Sequence, residues 1–355
     1  MNILNILHVP GKAGTEHAFV SMSLAIKNNG HNITCMIPKN SLSKKQIIAH
    51  NLPIIENNKT YKNFGKFDLI FISTLRKIIK NNKIDAVISN NGRITEIAKK
   101  ATKKLCPLIS INHGTNIKKT ALADFAIVIN NTQYGEIISA GFNKDRAYII
   151  PNSIPLNTNI NLKPENNQPK SILTIGFLGR LSQEKGPDIL IKAANLLHKQ
   201  NIKFKVNIAG DGNMLNELKT LVEQFELTEI INFVGWVENK EKFFKDIDIF
   251  CLPSRQEAFG IVLLEAMEHM IPIVASDCDG PKDIFEDNYE ALICKKDDVQ
   301  DLSDKLITLI NNTELREKLR TNAKDKLIKN YTEQIVSKKL EDMLQKVLYL
   351  SQRLM

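Results

Sequence analysis

Four charged side chains in the second half of the chain are spaced to suit a ligand that is anionic at one end and hydroxyl-rich at the other. The stretch Pro253-Ser254-Arg255-Gln256-Glu257-Ala258-Phe259-Gly260-Ile261-Val262-Leu263-Leu264-Glu265-Ala266-Met267 follows Ile247 to Leu252, a β-branched and aromatic run that reads as a buried strand. A polar loop, a glycine and a run apolar on all sides come next. That succession is a strand, a loop and a buried helix, the place where α/β sheets hold ligands. Glu257 lies in the loop and Glu265 within the apolar run. A buried, ionised carboxylate is costly unless something pairs with it or hydrogen-bonds to it, and sugar hydroxyls are suitable partners. The plain alternative is a capping Glu257 and a solvent-facing Glu265. Upstream, Gly179-Arg180-Leu181-Ser182-Gln183-Glu184-Lys185-Gly186-Pro187 joins another strand to another helix. Arg180, a planar fork, and Lys185, a point charge, would clamp a doubly charged phosphate, and Pro187 suits a first helical turn. Ordinary surface charge is the alternative there.

The elements that must position these groups alternate strand and helix. Residues 3–9 form an apolar strand, Pro10 to Glu16 a glycine-bearing loop, His17 to Asn28 a helix closed by Asn29-Gly30, and Asn32 to Ile37 a second strand. This is the opening unit of a doubly wound sheet, with backbone N–H groups offered to an anion at the helix start. The loop lacks the third glycine of a dinucleotide fingerprint, and the loop from Gly179 lacks the ending of a Walker sequence. Further strands are expected at Leu69–Ile72, Ala86–Ser89, Leu108–Ile111 and Phe125–Ile129. His113 stands directly after one of them, before Gly114, where catalytic and purely structural histidines are both found. Leu156 to Lys170, rich in Asn, Pro and Lys, reads as a linker. A second sheet follows, at Ile172–Leu178, Phe204–Ala209, Ile230–Val234, Ile247–Leu252, Ile271–Ala275 and Ala291–Cys294. Helical patterns lie at Pro187–Gln200, Met214–Phe225 and Asp301–Ile310, and from Thr313 to the end. The fold class is α/β, two parallel sheets in series with a cleft expected between them.

At 355 residues, 43% apolar and 25% charged, the chain suits two globular domains. Apolar runs reach about ten residues, too short to span a bilayer, and the first residues read as a strand and not a signal peptide. The five cysteines form no CxxC pair and no cluster with histidine, which argues against a metal site and for a reducing, cytoplasmic setting. Charge is unevenly shared: residues 1–150 hold 21 Lys and Arg against 8 Asp and Glu, and residues 151–355 hold 27 against 31. The basic half, densest at Lys77–Lys83 and Lys99–Lys104, suits an anionic membrane surface or a nucleic acid, or reflects Lys-rich solvated faces. Only 6% of residues are aromatic and none interleave those clusters, which disfavours single-strand binding.

The order Gly179-Arg180…Lys185-Gly186, Ala209-Gly210-Asp211-Gly212, Phe233-Val234-Gly235, Leu252-Pro253-Ser254, Glu257-Ala258-Phe259-Gly260…Glu265-Ala266 and Pro272-Ile273-Val274-Ala275-Ser276-Asp277 resembles the retaining glycosyltransferases of family 4. The first half is similar at Gly14-Thr15-Glu16, His113-Gly114 and Ile150-Pro151-Asn152. The resemblance implies two Rossmann-like domains of GT-B type: an acceptor-side domain at 1–155, a linker at 156–170, a nucleotide-sugar domain at 171–330 and a C-terminal helix at 331–355 packing back on the first domain. It also implies that Arg180 and Lys185 neutralise the donor diphosphate and that Glu265 accepts from the ribose. Glu257 would contact the donor sugar, bordered by Gly179, Gly210 and the backbone of Ala258, Phe259, Gly260 and Ile261. His113 would meet the sugar from the first domain, and Gly14 would approach the diphosphate. The reaction implied is transfer of a hexose or N-acetylhexosamine to a hydroxyl acceptor with retention, through a front-face, oxocarbenium-like step that needs no covalent nucleophile. No cofactor is implied. The two DxD triplets, Asp246-Ile247-Asp248 at a strand entry and Asp277-Cys278-Asp279, are expected not to hold a metal. A lipid-linked or cell-surface glycan acceptor would give the basic half a use at the inner membrane face. A sugar-nucleotide epimerase or a soluble disaccharide synthase would use the same fold. Ala13, Met270 and Asp279-Gly280-Pro281 depart from the family's usual glycines, and the last could alter donor choice.

Overall fold

The computed structural model describes residues 1–7, 13–57, 68–90, 92–114, 117–157 and 172–352, and its contacts divide the chain into two compact units. Unit 1 takes Met1–Ser153 together with Glu333–Met355, and unit 2 takes Ile154–Thr332. In unit 1 the strands are β1 (Asn2–Ile6), β2 (Asn32–Pro38), β3 (Ile54–Asn57), β4 (Ala86–Ser89), β5 (Leu108–Asn112), β6 (Phe125–Val128) and β7 (Ala147–Ile149). Helices α1 (Ala13–Asn28), α2 (Lys44–Ala49), α3 (Leu69–Asn81), α4 (Gly92–Thr102) and α5 (Asn131–Ser139) alternate with them. All seven strands are parallel, in the order β3-β2-β1-β4-β5-β6-β7. Strands covered by helices on both faces read as unbroken apolar runs, and β4, β5 and β6 are buried at every position.

Unit 2 repeats the plan with β8 (Leu173–Leu178), α6 (Pro187–Lys199), β9 (Phe204–Ala209), α7 (Leu215–Gln224), β10 (Ile231–Gly235), α8 (Lys240–Asp246), β11 (Ile249–Leu252), α9 (Ile261–Glu268), β12 (Ile273–Ser276), α10 (Asp279–Ile284), β13 (Leu292–Cys294), α11 (Val299–Asn311) and α12 (Thr313–Asn330). Its sheet runs β10-β9-β8-β11-β12-β13, parallel throughout. The winding therefore reverses between β8 and β11, as it does between β1 and β4 in unit 1. Strand carboxyl ends on either side of such a reversal leave a crevice where ligands bind. Helix α13 (Glu333–Gln352) then returns to unit 1. Its Val336, Leu340, Met343, Leu344 and Val347 form one helical stripe in the core with Ile3, Phe19 and Ile26.

Three elements differ from the sequence expectation. Leu69–Ile72 is the first turn of α3 and not a strand: Asp68 caps it through the Phe71 N–H at 2.8 Å, and the buried residues are Phe71, Leu75 and Ile79, at helical spacing. The edge strand in that region is β3. Helix α1 begins at Ala13, so Gly14, Thr15 and Glu16 belong to its first turn and not to a loop; residues 8–12 of the expected loop lie outside the described residues. Glu16 is buried there, accepting from Ser41 Oγ at 2.5 Å and from the Ser43 N–H at 2.9 Å, which pins the helix start to the turn after β2. The helical sequence from Thr313 is broken at Tyr331-Thr332 into α12 and α13. Most of the expected linker, from residue 158 on, lies outside the described residues. Because the α13 stripe completes the unit 1 core, Leu344→Ala should cost about 2–4 kcal/mol. Urea unfolding followed by circular dichroism measures it.

Candidate functional site

In unit 2 the loops after β8, β9 and β11 meet at the carboxyl edge of the sheet, around the β8/β11 reversal. Their closeness depends on two glycines. At Gly186 (φ +63°) a Cβ would lie 2.1 Å from the Pro253 carbonyl, and at Gly210 (φ +132°) one would lie 1.9 Å from the Gly179 carbonyl. Only a residue without a Cβ allows either approach. Arg255 then ties the loops together. Its main-chain N–H donates to the Glu184 carbonyl at 2.8 Å, and its guanidinium grips Asp188 with two bonds, of 2.7 and 2.8 Å. The Nε reaches Asp297 at 2.5 Å. Burial alone would raise the Asp188 carboxyl, but hydrogen bonds from Arg255 and then Lys192 hold it below the ordinary carboxylate range. Sequence reasoning did not single out Arg255; the signal was an arginine beside a polar loop and an Asp in the first turn after Pro187.

On this frame sit the expected site residues. Lys185 contacts Glu257 directly as an ion pair, so the loops after β8 and β11 share one charge pair. Glu265, in the second turn of α9, is paired through Oε1 with Lys240 of α8 at 2.6 Å, a partner the sequence did not suggest. Its other oxygen, Oε2, is buried with no hydrogen-bond partner among the described residues, as are Ser182 Oγ and Ser254 Oγ in the adjoining loops. A buried polar atom left so costs about 1–3 kcal/mol. Arg180 is exposed and makes no ion pair among the described residues. Gly179 and Gly210 lie where the loops after β8 and β9 meet, Ala258 is half-buried, and Phe259 and Gly260 are buried. Gly260 caps α9, whose first residue is Ile261. One Asp of each DxD triplet has backbone work: Asp248 accepts from the Thr174 N–H at 3.0 Å and Asp277 from the Lys296 N–H at 2.8 Å. Among the described residues no group of three His, Cys, Asp or Glu could hold a metal ion.

His113 and Gly14 lie in unit 1. Gly14 is exposed, with nothing near a would-be Cβ among the described atoms. His113 follows β5, half-buried, with Nε2 3.0 Å from Asn90 Oδ1 at the end of β4, so it stands beside the strand-order reversal. Burial pushes its pKa down to about 4 from an ordinary 6.5. The folded protein therefore binds fewer protons than the unfolded chain between those values, and stability falls as pH drops through that window. His113→Gln should remove that slope, roughly 1–3 kcal/mol over the window, in urea unfolding at stepped pH. Arg255→Ala should cost about 2–4 kcal/mol near neutral pH. The depressed Asp188 carboxyl contributes only above its unfolded value and loses its effect as pH falls through the folded one, so the cost should shrink in acid.

The family model described as "Glycosyl transferases group 1" matches residues 159–326, which covers most of unit 2. A poly(ribitol-phosphate) alpha-N-acetylglucosaminyltransferase of Staphylococcus aureus is 25% identical over 306 residues, covering 80% of this chain and 60% of its own length. An alpha-1,4-N-acetyl-D-galactosaminyltransferase of Campylobacter jejuni, named for a PP-undecaprenol-linked acceptor, is 28% identical over 267 residues, covering 71% of this chain and 72% of its own. The crystal structure of Anabaena HepE in complex with UDP superposes with a TM-score of 0.84 over 98% of this chain and 100% of that one, at 18% identity. The match to the group 1 glycosyl transferase model lies on the second of two Rossmann-like sheets, the architecture is of GT-B type, and the protein is a glycosyltransferase.

Proposed function

We propose that the protein is a retaining glycosyltransferase of family 4 that moves a hexose or N-acetylhexosamine from a nucleotide-diphosphate sugar to a hydroxyl acceptor. The observation that carries the donor half is the set of unmet polar groups at the carboxyl edge of unit 2: unpaired Arg180, and buried Glu265 Oε2, Ser182 Oγ and Ser254 Oγ without partners among the described residues. A ligand with phosphates at one end and hydroxyls along its length answers all of them. Lys240 is 52% exposed, so its hold on Glu265 is worth at most about 1 kcal/mol and yields readily to ribose hydroxyls. Lys185 turns from Glu257 to the diphosphate, and Glu257, released, accepts from the donor sugar. Arg180 and Lys185 meet the charge that develops on the departing diphosphate, the task a metal performs elsewhere. His113 is assigned to the donor sugar and Gly14 to the diphosphate.

The acceptor is a lipid-linked or cell-surface glycan, and the protein works at the inner face of the cytoplasmic membrane. Exposed Leu42 follows β2, and exposed Leu69 and Ile70 open the helix after β3, with exposed Lys39 and Lys45 beside the former. Parallel neighbours β2 and β3 bring both segments to one sheet edge, an apolar and basic face suited to anionic lipid. No helix among the described residues is long and apolar enough to cross a membrane.

Thermal-shift and calorimetric titration with nucleoside diphosphates and their sugars tests the donor site. Arg180→Ala should weaken the best ligand by about tenfold or more. Glu257→Gln should free Lys185, tightening nucleoside diphosphate binding by about two- to tenfold while slowing transfer. Unchanged affinity in both variants and in Glu265→Ala would remove the assignment. Liposomes rich in phosphatidylglycerol should retain the protein at low salt and release it as salt rises, whereas neutral liposomes should not; equal retention would exclude the membrane face.

A further inference from the structure

The polar groups beneath the sheet reversal of unit 1 form one chain of hydrogen bonds whose donor and acceptor senses are fixed by main-chain carbonyls. A carbonyl only accepts, so Ser23 gives its O–H to the Phe19 carbonyl, 2.8 Å away. Ser23 Oγ then accepts from Asn5 Nδ2 at 2.9 Å, which leaves the Asn5 carbonyl oxygen for Asn90. Asn90 Nδ2 donates to that oxygen at 2.6 Å and to the Ile6 carbonyl at 3.1 Å. Turning the Asn90 amide round would set two oxygens against each other at both contacts. Its Oδ1 therefore faces His113 Nε2, at 3.0 Å, and that contact is a hydrogen bond only when Nε2 carries the proton. Asn5, Ser23 and Asn90 are all buried, so no solvent competes for these positions.

We infer that Asn90 is a positioning residue that holds His113 as the Nε2–H tautomer, so that Nδ1 presents a lone pair and the ligand group meeting it must be a hydrogen-bond donor. Nδ1 has no hydrogen-bond partner among the described residues. His113 also lines a cavity of about 810 Å³ bounded by α1, the ends of β5 and β7 and the first turns of α13. The substrate consequence rests on the reading in which the transferred sugar reaches His113. A sugar hydroxyl donates to Nδ1. A carboxylate in the same place has no proton to give and sets its charge against the lone pair, so hexuronates are refused in favour of hexoses. Burial, which lowers the ring's pKa to about 4, prevents protonation from rescuing the carboxylate.

Long-range proton–nitrogen correlation spectra of the full chain, with His113 assigned through His113→Gln, read the tautomer without ligand. Nε2–H is expected, and Nδ1–H or an even mixture overturns the inference. Calorimetry then compares UDP-glucose with UDP-glucuronate, the latter expected to bind about tenfold or more weakly. Equal affinity overturns the selectivity and leaves the donor reading standing. Failure of UDP and both sugars to bind removes the selectivity together with the UDP-sugar reading, while the spectra still decide the tautomer. Asn90→Asp retains an acceptor for Nε2–H but adds a negative charge, so His113 should hold both protons near neutral pH and the glucuronate penalty should fall below about threefold. A folded Asn90→Asp protein with unchanged ring protonation and unchanged preference would reduce Asn90 to a structural role. Should that variant not fold, the wild-type spectra and the two titrations carry the test.

Discussion

A carboxylate among the ends of parallel strands has lost much of its water, and the carboxyl edge of the unit 2 sheet is organised by what replaces that water. Asp188, Glu257 and Glu265 each meet a cation, but the three pairs differ in kind. Asp188 is held by a two-pronged arginine that also bonds the main chain of the opposite loop, and Lys192 and Asp297 extend the pair into a network. Glu257 and Glu265 are held by lysines, single point charges on flexible stems that re-aim at little cost. The arginine pair is scaffold and the lysine pairs are exchangeable. Such a division lets a site stay folded while its ligand contacts change.

The same edge shows why the two units contribute differently. Both sheets reverse their winding in the same way, yet at the reversal of unit 1 the described residues present neutral amides, a serine and a neutral imidazole, and unit 2 presents net cations beside carboxylates. Fixed charges suit a leaving group whose charge grows during reaction. Neutral, direction-fixed hydrogen bonds suit a sugar, whose hydroxyls are told apart only by position and by who donates. Burial keeps the His113 imidazole neutral near neutral pH, so the groups at the reversal of unit 1 stay uncharged there.

Much of this was legible in the sequence because parallel, buried strands must be apolar runs and must end at glycines, prolines and polar loops. Arg180, Lys185, Glu257 and Glu265 could be picked out by position relative to those ends. What could not be read was pairing. Nothing in the local pattern joins Lys240 to Glu265 or Arg255 to Asp188, since these contacts cross between elements and depend on how the helices pack. Leu69–Ile72 misled for a related reason: four apolar residues fit either period, and the arbiter was the Asp68 cap and the later Leu75 and Ile79. Gly14 misled because glycine usually marks a loop, whereas here it lies inside the first turn of a helix that begins at Ala13 and is tied down through Glu16 to Ser41 and Ser43.

Composition gave the basic half its weight but could not place it. Helices that cross between parallel strands run antiparallel to them, so their C-termini lie at the edge opposite the strand carboxyl ends. Lys77–Lys83 and Lys99–Lys104 fall at or just past the ends of α3 and α4, where positive charge offsets the helix dipole, and Lys99 also pairs with Asp124 at 2.5 Å. The densest clusters therefore have a structural occupation away from the carboxyl edge. Among the described residues, Lys39 and Lys45 are exposed beside exposed Leu42 in the segment after β2. A few lysines alone give weak, salt-sensitive attraction, and apolar side chains alone give attraction without preference for charge. Together they make binding that needs both an anionic headgroup and a place to insert, which neither the net charge nor the hydropathy of the chain expresses.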